Sequence, residues 1–134
     1  MSLFRCNGIV LRTYKLGEAD RIVSIVTDTH GKVRAVAKGI RKTKSRIGAR
    51  LEPMSHVSLL IYKGRSDLDI VSQAESIENY RSVREDLDRL THATALLEAV
   101  DLLSVEGQVD DRLYAMLGGA LRSLNLQEDR KSVV

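Results

Sequence analysis

Near residue 80 the apolar residues change their spacing, from alternation and short β-branched runs to a recurrence every three or four positions. A period of two suits a strand and one near 3.6 suits a helix, so a β-rich part must be followed by a helical one. The first predicted strand is Asn7 to Tyr14, with Ile9, Leu11 and Thr13 on one face and Val10, Arg12 and Tyr14 on the other. After a turn at Leu16 to Ala19, the run RIVSIVT from Arg21 to Thr27 is nearly all apolar, as a strand buried on both faces would be. Asp28 to Gly31 closes a hairpin in which Gly31 takes positive φ at little cost. Lys32 to Gly39 returns, with Val33, Ala35 and Ala37 on one face and Lys32, Arg34, Val36 and Lys38 on the other. Gly39 to Arg50 has neither period and reads as an exposed loop, Leu51 to Pro53 turns the chain, and His56 to Lys63 and Asp69 to Glu75 are two more strands.

Five short strands joined by short hairpins and one longer connection suit the OB-fold, a five-stranded, partly open Greek-key barrel. The expected class is α+β: the barrel over residues 1–80, then an αα-hairpin over 81–126, then a disordered tail over 127–134. Ser82-Val83-Arg84-Glu85 has the form of a capping box and predicts where the first helix begins. Val83, Leu87, Leu90, Ala93 or Thr94, Leu97, Val100 or Asp101, and Leu103 then share one helical face, and Gly107 is the expected terminator. Asp110 or Asp111 is placed to cap a second helix whose stripe is Leu113, Met116 or Leu117, Ala120 or Leu121, and Leu124.

Composition removes several function classes. One cysteine in 134 residues forms no internal disulfide and no multi-thiolate metal site. The longest apolar run, Val57 to Tyr62, is interrupted by Ser58 and falls far short of a membrane span, and the N-terminus has no signal-peptide pattern, so a reduced, cytoplasmic protein is the expectation. The formal net charge of +3 hides a segregation: residues 1–80 carry 14 Lys and Arg against 8 Asp and Glu, whereas residues 81–134 carry 7 against 10. Between Asp28 and Glu52 lie Lys32, Arg34, Lys38, Arg41, Lys42, Lys44, Arg46 and Arg50 and no acid. A cationic strand face running into an acid-free loop presents a contiguous patch, which suits a polyanion.

Nothing comparable supports catalysis. Cys6 has no neighbour that would lower its pKa, and His30, His56 and His92 sit in three different elements without metal-ligand spacing. Asp67 and Asp69 read as a polar turn before a strand, and no phosphate-binding glycine loop or nucleophile elbow is present. The reading is therefore a non-enzyme without a cofactor. Aromatics are few, so binding is expected to follow the phosphate backbone, with Arg12 and Tyr14 sharing a strand face where Tyr14 either stacks a base or covers a barrel end. Two other readings stay open: an RNA-binding OB module, and a protein-interaction module using the stripe Leu87, Leu90, Leu97 and Leu103.

The order GIVLRTYKLGEADRIVSIVTDTHGKVRAVAKGIRKTKSRIGARLEP over residues 8–53 resembles the N-terminal domain of RecO, the bacterial recombination mediator, and REDLDRLTHATALLEAVDLL over residues 84–103 is similar to the start of its helical domain. The resemblance implies an OB-fold followed by helices and a non-catalytic role in DNA repair and recombination. It implies binding of single- and double-stranded DNA, annealing of strands coated by single-strand-binding protein, and loading of a recombinase together with RecR. Carried onto this sequence, the basic positions are Lys32, Arg34, Lys38, Arg41, Lys42, Lys44, Arg46 and Arg50, with Gly31 and Gly39 as turn positions. Family members are longer and many carry a four-cysteine zinc module, so an incomplete helical domain without zinc is expected here. The last six residues, Asp129 to Val134, match one reading frame of a common sequencing adapter, and an artefactual origin for them would show in the codons GAT CGG AAG AGC GTC GTG.

Overall fold

The structure, a computed structural model, describes residues 2–38, 50–64 and 68–132, with side chains described as far as residue 125. Five strands, β1 (Ser2–Leu16), β2 (Asp20–Thr27), β3 (Lys32–Ala37), β4 (His56–Lys63) and β5 (Asp69–Glu78), close a barrel in the order β1-β2-β3-β5-β4. Neighbours are antiparallel except β3 and β5, which run parallel through Ala35↔Asp69 and Val36↔Ile70. Three helices follow: α1 (Arg81–Arg84), α2 (Leu87–Leu103) and α3 (Asp111–Ser132). The expected α+β architecture, an OB-fold barrel followed by helices, is the one the chain adopts. Among the described residues no helix is long and apolar enough to cross a membrane.

β1 closes the barrel because it is long enough to serve two neighbours. Ser2 to Ile9 pair with β4, and Gly8 to Leu16 pair with β2. A bulge at Leu11 separates the pairs Val10↔Ile25 and Arg12↔Ser24. The backbone groups of Val10 there are met by the turn before β4: Val10 N–H donates to Ser55 O at 3.0 Å, and Val10 O accepts from Met54 N–H at 2.8 Å. The extra residue corrects the expected facing of β1. Val10 stays in the barrel interior with Cys6, Val23, Ile25, Val33, Ala35 and Ala37, while Ile9 and Leu11 join a second core outside the barrel. Arg12, which strict alternation puts beside Val10, instead faces outward in a row with Ser24 and Arg34.

The second core binds the helices to the barrel: Ile9, Leu11, Val26, Met54 and Tyr80 pack with Val83, Ala93, Leu97, Val100, Leu117 and Leu121. Its entry is set by Tyr80, buried and in the left-handed region with φ 55°, which turns the chain from β5 into α1. The predicted capping box is not formed. Ser82 Oγ donates to Asn125 Oδ1 of α3, and Glu85 pairs with Arg81 at 2.8 Å. α1 stops after one turn, and Asp86 caps α2 instead, its carboxylate accepting from Arg89 N–H at 3.1 Å. An aspartate at that position bonds a free amide and favours the helix dipole, which a serine four residues earlier cannot do for a helix that starts later. The stripe expected on α2 is likewise divided: Leu97 is buried and Leu90 partly so, whereas Leu87 and Leu103 are 79% and 66% exposed.

α2 ends at Ser104, which turns extended, rather than at Gly107. Gly107 takes its positive φ of 75° in the connection to α3, where its N–H donates to Lys32 O at 3.0 Å and Glu106 bridges to Lys32 of β3. Asp110 caps α3 by accepting from Arg112 and Leu113 N–H. α3 runs on through Ser132, so residues 127–132 continue the helix rather than forming the expected disordered tail. The segment contains Gln127, Glu128, Arg130 and Lys131, all good helix formers, and neither Gly nor Pro to stop it.

Candidate nucleic-acid interface

The outer face of β1-β2-β3 carries Arg12, Tyr14, Lys32 and Arg34 of the predicted basic site. The bulge puts Arg12, Ser24 and Arg34 in one cross-strand row, and Tyr14, Ile22 and Val36 form the row beside it. Tyr14 is held between two guanidinium groups. Arg34 donates to Tyr14 Oη from Nη2 at 2.6 Å and from Nε at 3.2 Å, and Arg12 Cζ lies 5.1 Å from the Tyr14 ring centroid. The hydrogen bond to Tyr14 holds the Arg34 guanidinium above its ordinary pKa. Tyr14, partly buried, is thus partnered by an arginine at its hydroxyl and another over its ring.

Acids from the helical part reach the same face. Asp101 of α2 accepts from Lys32 Nζ at 2.9 Å and from Ser24 Oγ at 3.2 Å, and Arg12 Nη1 lies 3.7 Å from its other oxygen. Lys32 Nζ also donates to Asp101 O at 2.8 Å. Arg34 Nη1 meets Glu106 at 3.9 Å. Arg12, Tyr14, Ser24, Lys32, Arg34 and Asp101 enclose a small hollow of about 120 Å³ in which the carboxylate of Asp101 is the anion. The two sides of the Lys32–Asp101 pair are each 16% exposed, whereas Arg12 is 62% exposed. Asp101 was legible only as a misfit, a carboxylate beside Val100 on the apolar stripe of a helix.

Of the remaining predicted positions, Lys38 and Arg50 lie among the described residues. Lys38 is exposed just past the end of β3. Arg41, Lys42, Lys44 and Arg46 lie outside the described residues, as does Gly39. Arg50 donates from Nη1 to Ala74 O of β5 at 2.7 Å, which ties the chain leaving that segment to the barrel wall.

The residues weighed for chemistry are scattered. Cys6 is buried inside the barrel, where burial and then the nearby Asp28 carboxylate push its thiol up to about 12. His56 Nε2 lies 2.6 Å from Tyr114 Oη of α3, while His92 stands on the exposed side of α2 with Nδ1 3.1 Å from Asp88 O. Burial, and then repulsion from Arg122, hold His56 below the ordinary imidazole value against the pull of Asp28 and Glu78. Asp69 lines a cleft with His30 rather than with His56, its carboxyl raised first by burial; Asp67 lies outside the described residues. Among the described residues no group of three or more His, Cys, Asp or Glu is placed to hold a metal ion.

Residues 1–80 match the family model described as recombination protein O N terminal, and residues 84–134 match that described as recombination protein O C terminal. The chain belongs to the RecO family. Among curated relatives, the DNA repair protein RecO of Bifidobacterium longum strain DJO10A is 51% identical over 129 residues, covering 95% of this chain and 54% of the relative. That of Rubrobacter xylanophilus is 48% identical over 129 residues, covering 96% and 51%, and that of Streptomyces coelicolor is 46% identical over 141 residues, covering 100% and 57%. The chain therefore spans about half the length of the curated RecO relatives it matches. Both family models run along the elements described above: the N-terminal one ends two residues past β5, and the C-terminal one opens at the last residue of α1.

Proposed function

We propose that this chain is a non-catalytic, DNA-binding part of a RecO-type recombination mediator acting in the cytoplasm on nucleoid DNA. The observation that carries the reading is the outer β1-β2-β3 face, where Arg12, Lys32 and Arg34 are brought into one surface with Tyr14 and lead to Lys38. Guanidinium and ammonium groups in a row bind phosphates whatever the base, so single- and double-stranded DNA both fit. Neutralising two strands on one surface lowers their mutual repulsion, and base pairing then anneals them without the protein reading sequence. In the longer relatives' setting the same surface would act on strands coated by single-strand-binding protein and, with RecR, load a recombinase.

Binding measured across a salt series tests this. With about five phosphates engaged, the logarithm of affinity should fall against the logarithm of salt with a slope of roughly −3.5 to −4.5. Reversing the charges of Arg41, Lys42, Lys44 and Arg46 together should weaken binding to every sequence and flatten that slope; unchanged affinity would remove these four from the site. A strong preference for RNA over DNA of the same sequence would overturn the mediator reading in favour of an RNA-binding module.

A further inference from the structure

A second cleft adjoins the cationic face, at the end of the barrel where the β2–β3 turn meets the start of β1. Phe4 of β1 and His30 of the turn stack there with ring centroids 4.0 Å apart and planes 17° from parallel. Phe4 packs against the barrel core, so one ring of the pair is anchored in the fold. The other is held by the turn: Thr29 Oγ1 lies 2.8 Å from His30 Nδ1, His30 N–H donates to Thr27 Oγ1 at 3.0 Å, and Thr27 Oγ1 donates to Gly31 O at 2.7 Å. An aromatic platform fixed before any ligand arrives loses little freedom when one binds.

The cleft is roomy, about 580 Å³, and besides this pair it is lined by Lys32, Arg34, Lys63, Asp69 and Glu106. That volume falls in the range of small-molecule sites. Lys32 and Arg34 also line the hollow beside Arg12 and Tyr14, so the phosphate track of the outer face leads into it. Asp69 and Glu106 make the cleft a poor place for a phosphate. Carboxylates instead accept from the amino and ring N–H groups of a base edge, and Arg34 and Lys63 stand at the cleft for the flanking phosphates.

We propose that one unpaired base of a bound single DNA strand leaves the phosphate track and stacks in this cleft against the Phe4–His30 pair. The inference rests on the DNA-binding reading above and adds a base-dependent subsite to a surface otherwise indifferent to bases. Stacking on a protein ring is tolerant of base identity but needs a base. The decisive comparison is therefore between a single strand of adenines and cytosines and an abasic strand of the same length and charge, each titrated against the full chain.

The base-bearing strand should bind at least about fivefold more tightly. That ratio should fall toward one in His30→Ala and return in His30→Tyr, which restores a ring. In the unsubstituted protein the imidazole proton signals of His30 should move upfield with the base-bearing strand and stay in place with the abasic one, a readout that does not depend on how well a variant folds. Equal and tight binding of both strands, an unchanged ratio in His30→Ala, or the same His30 shifts with both strands would overturn the subsite while leaving the phosphate track intact. Failure of both strands to bind at low salt would take down the track and the subsite with it.

Discussion

Gly31 shows how little freedom single positions have in this molecule. Its φ is +66°, and a Cβ there would lie 2.2 Å from the carbonyl oxygen of Gln108, in the connection between α2 and α3. Both the turn and the approach of the connection demand glycine, so Gly31→Ala should destabilise the fold by more than about 2 kcal/mol, seen as a clear fall in melting temperature. A variant melting like the parent would mean that the connection does not pack on this turn. Asp101 makes the opposite kind of prediction. As the protein's own anion among Arg12, Ser24 and Lys32, it competes with phosphate, and Asp101→Asn keeps an acceptor for Ser24 while removing the negative charge beside the two cations. Affinity for single-stranded DNA should rise several-fold and the salt slope steepen by roughly 0.7 to 0.9, one added contact. An unchanged slope in the salt series would show that Lys32 does not reach phosphate. Neither residue's role was legible from local pattern: Gly31 reads as an ordinary turn glycine, and Asp101 as a charge at the margin of a helical stripe.

Elements meet through polar contacts as well as apolar ones, and the contact between β4 and α3 is sensitive to protons. His56 and Tyr114 pack edge to face, with ring centroids 5.6 Å apart, and bond at 2.6 Å. Burial and Arg122 disfavour the charged imidazole, so the folded protein binds this proton less readily than the unfolded chain, whose histidine titrates near about 6.5. The contribution is therefore fully present above that value and is lost as the pH falls through the lower folded one. Melting temperatures between about pH 5 and 7.5 should drop more steeply for the parent than for His56→Gln; parallel curves would show that His56 is not the titrating group. Element boundaries were legible where a period is local. The extent of β4, His56 to Lys63, follows from its apolar alternation alone. The bulge in β1 was not, because an inserted residue leaves the composition of the strand unchanged and shows only in how its partner pairs. The start of α2 was missed for a related reason: Ser82 and Asp86 both precede apolar runs, and the choice between them depends on whether Ser82 is taken up by Asn125 of α3.

At the scale of the whole molecule, the barrel and the helices share a core and should unfold together. Leu121 of α3 is fully buried in the cluster that includes Ile9, Leu11 and Val26 of the barrel. Leu121→Ala should cost about 2–5 kcal/mol, and helix signal and barrel signal should melt in one transition at a lower temperature. Two separate transitions would mean that the second core does not couple the parts. The segregated charge has a similar outcome, since acids of the negative half reach back to Arg12, Lys32 and Arg34 of the positive one. By itself the sequence determined that a five-stranded barrel precedes helices and that the barrel carries the cations, because side-chain period and net charge are properties of neighbours along the chain. Only the tertiary structure decided which of those cations share a face, which are already paired with the protein's own carboxylates, and that Phe4 and His30 stack beside them. Those outcomes depend on a bulge, a register and a helix docking, each of which joins residues far apart in sequence through contacts that no local pattern encodes.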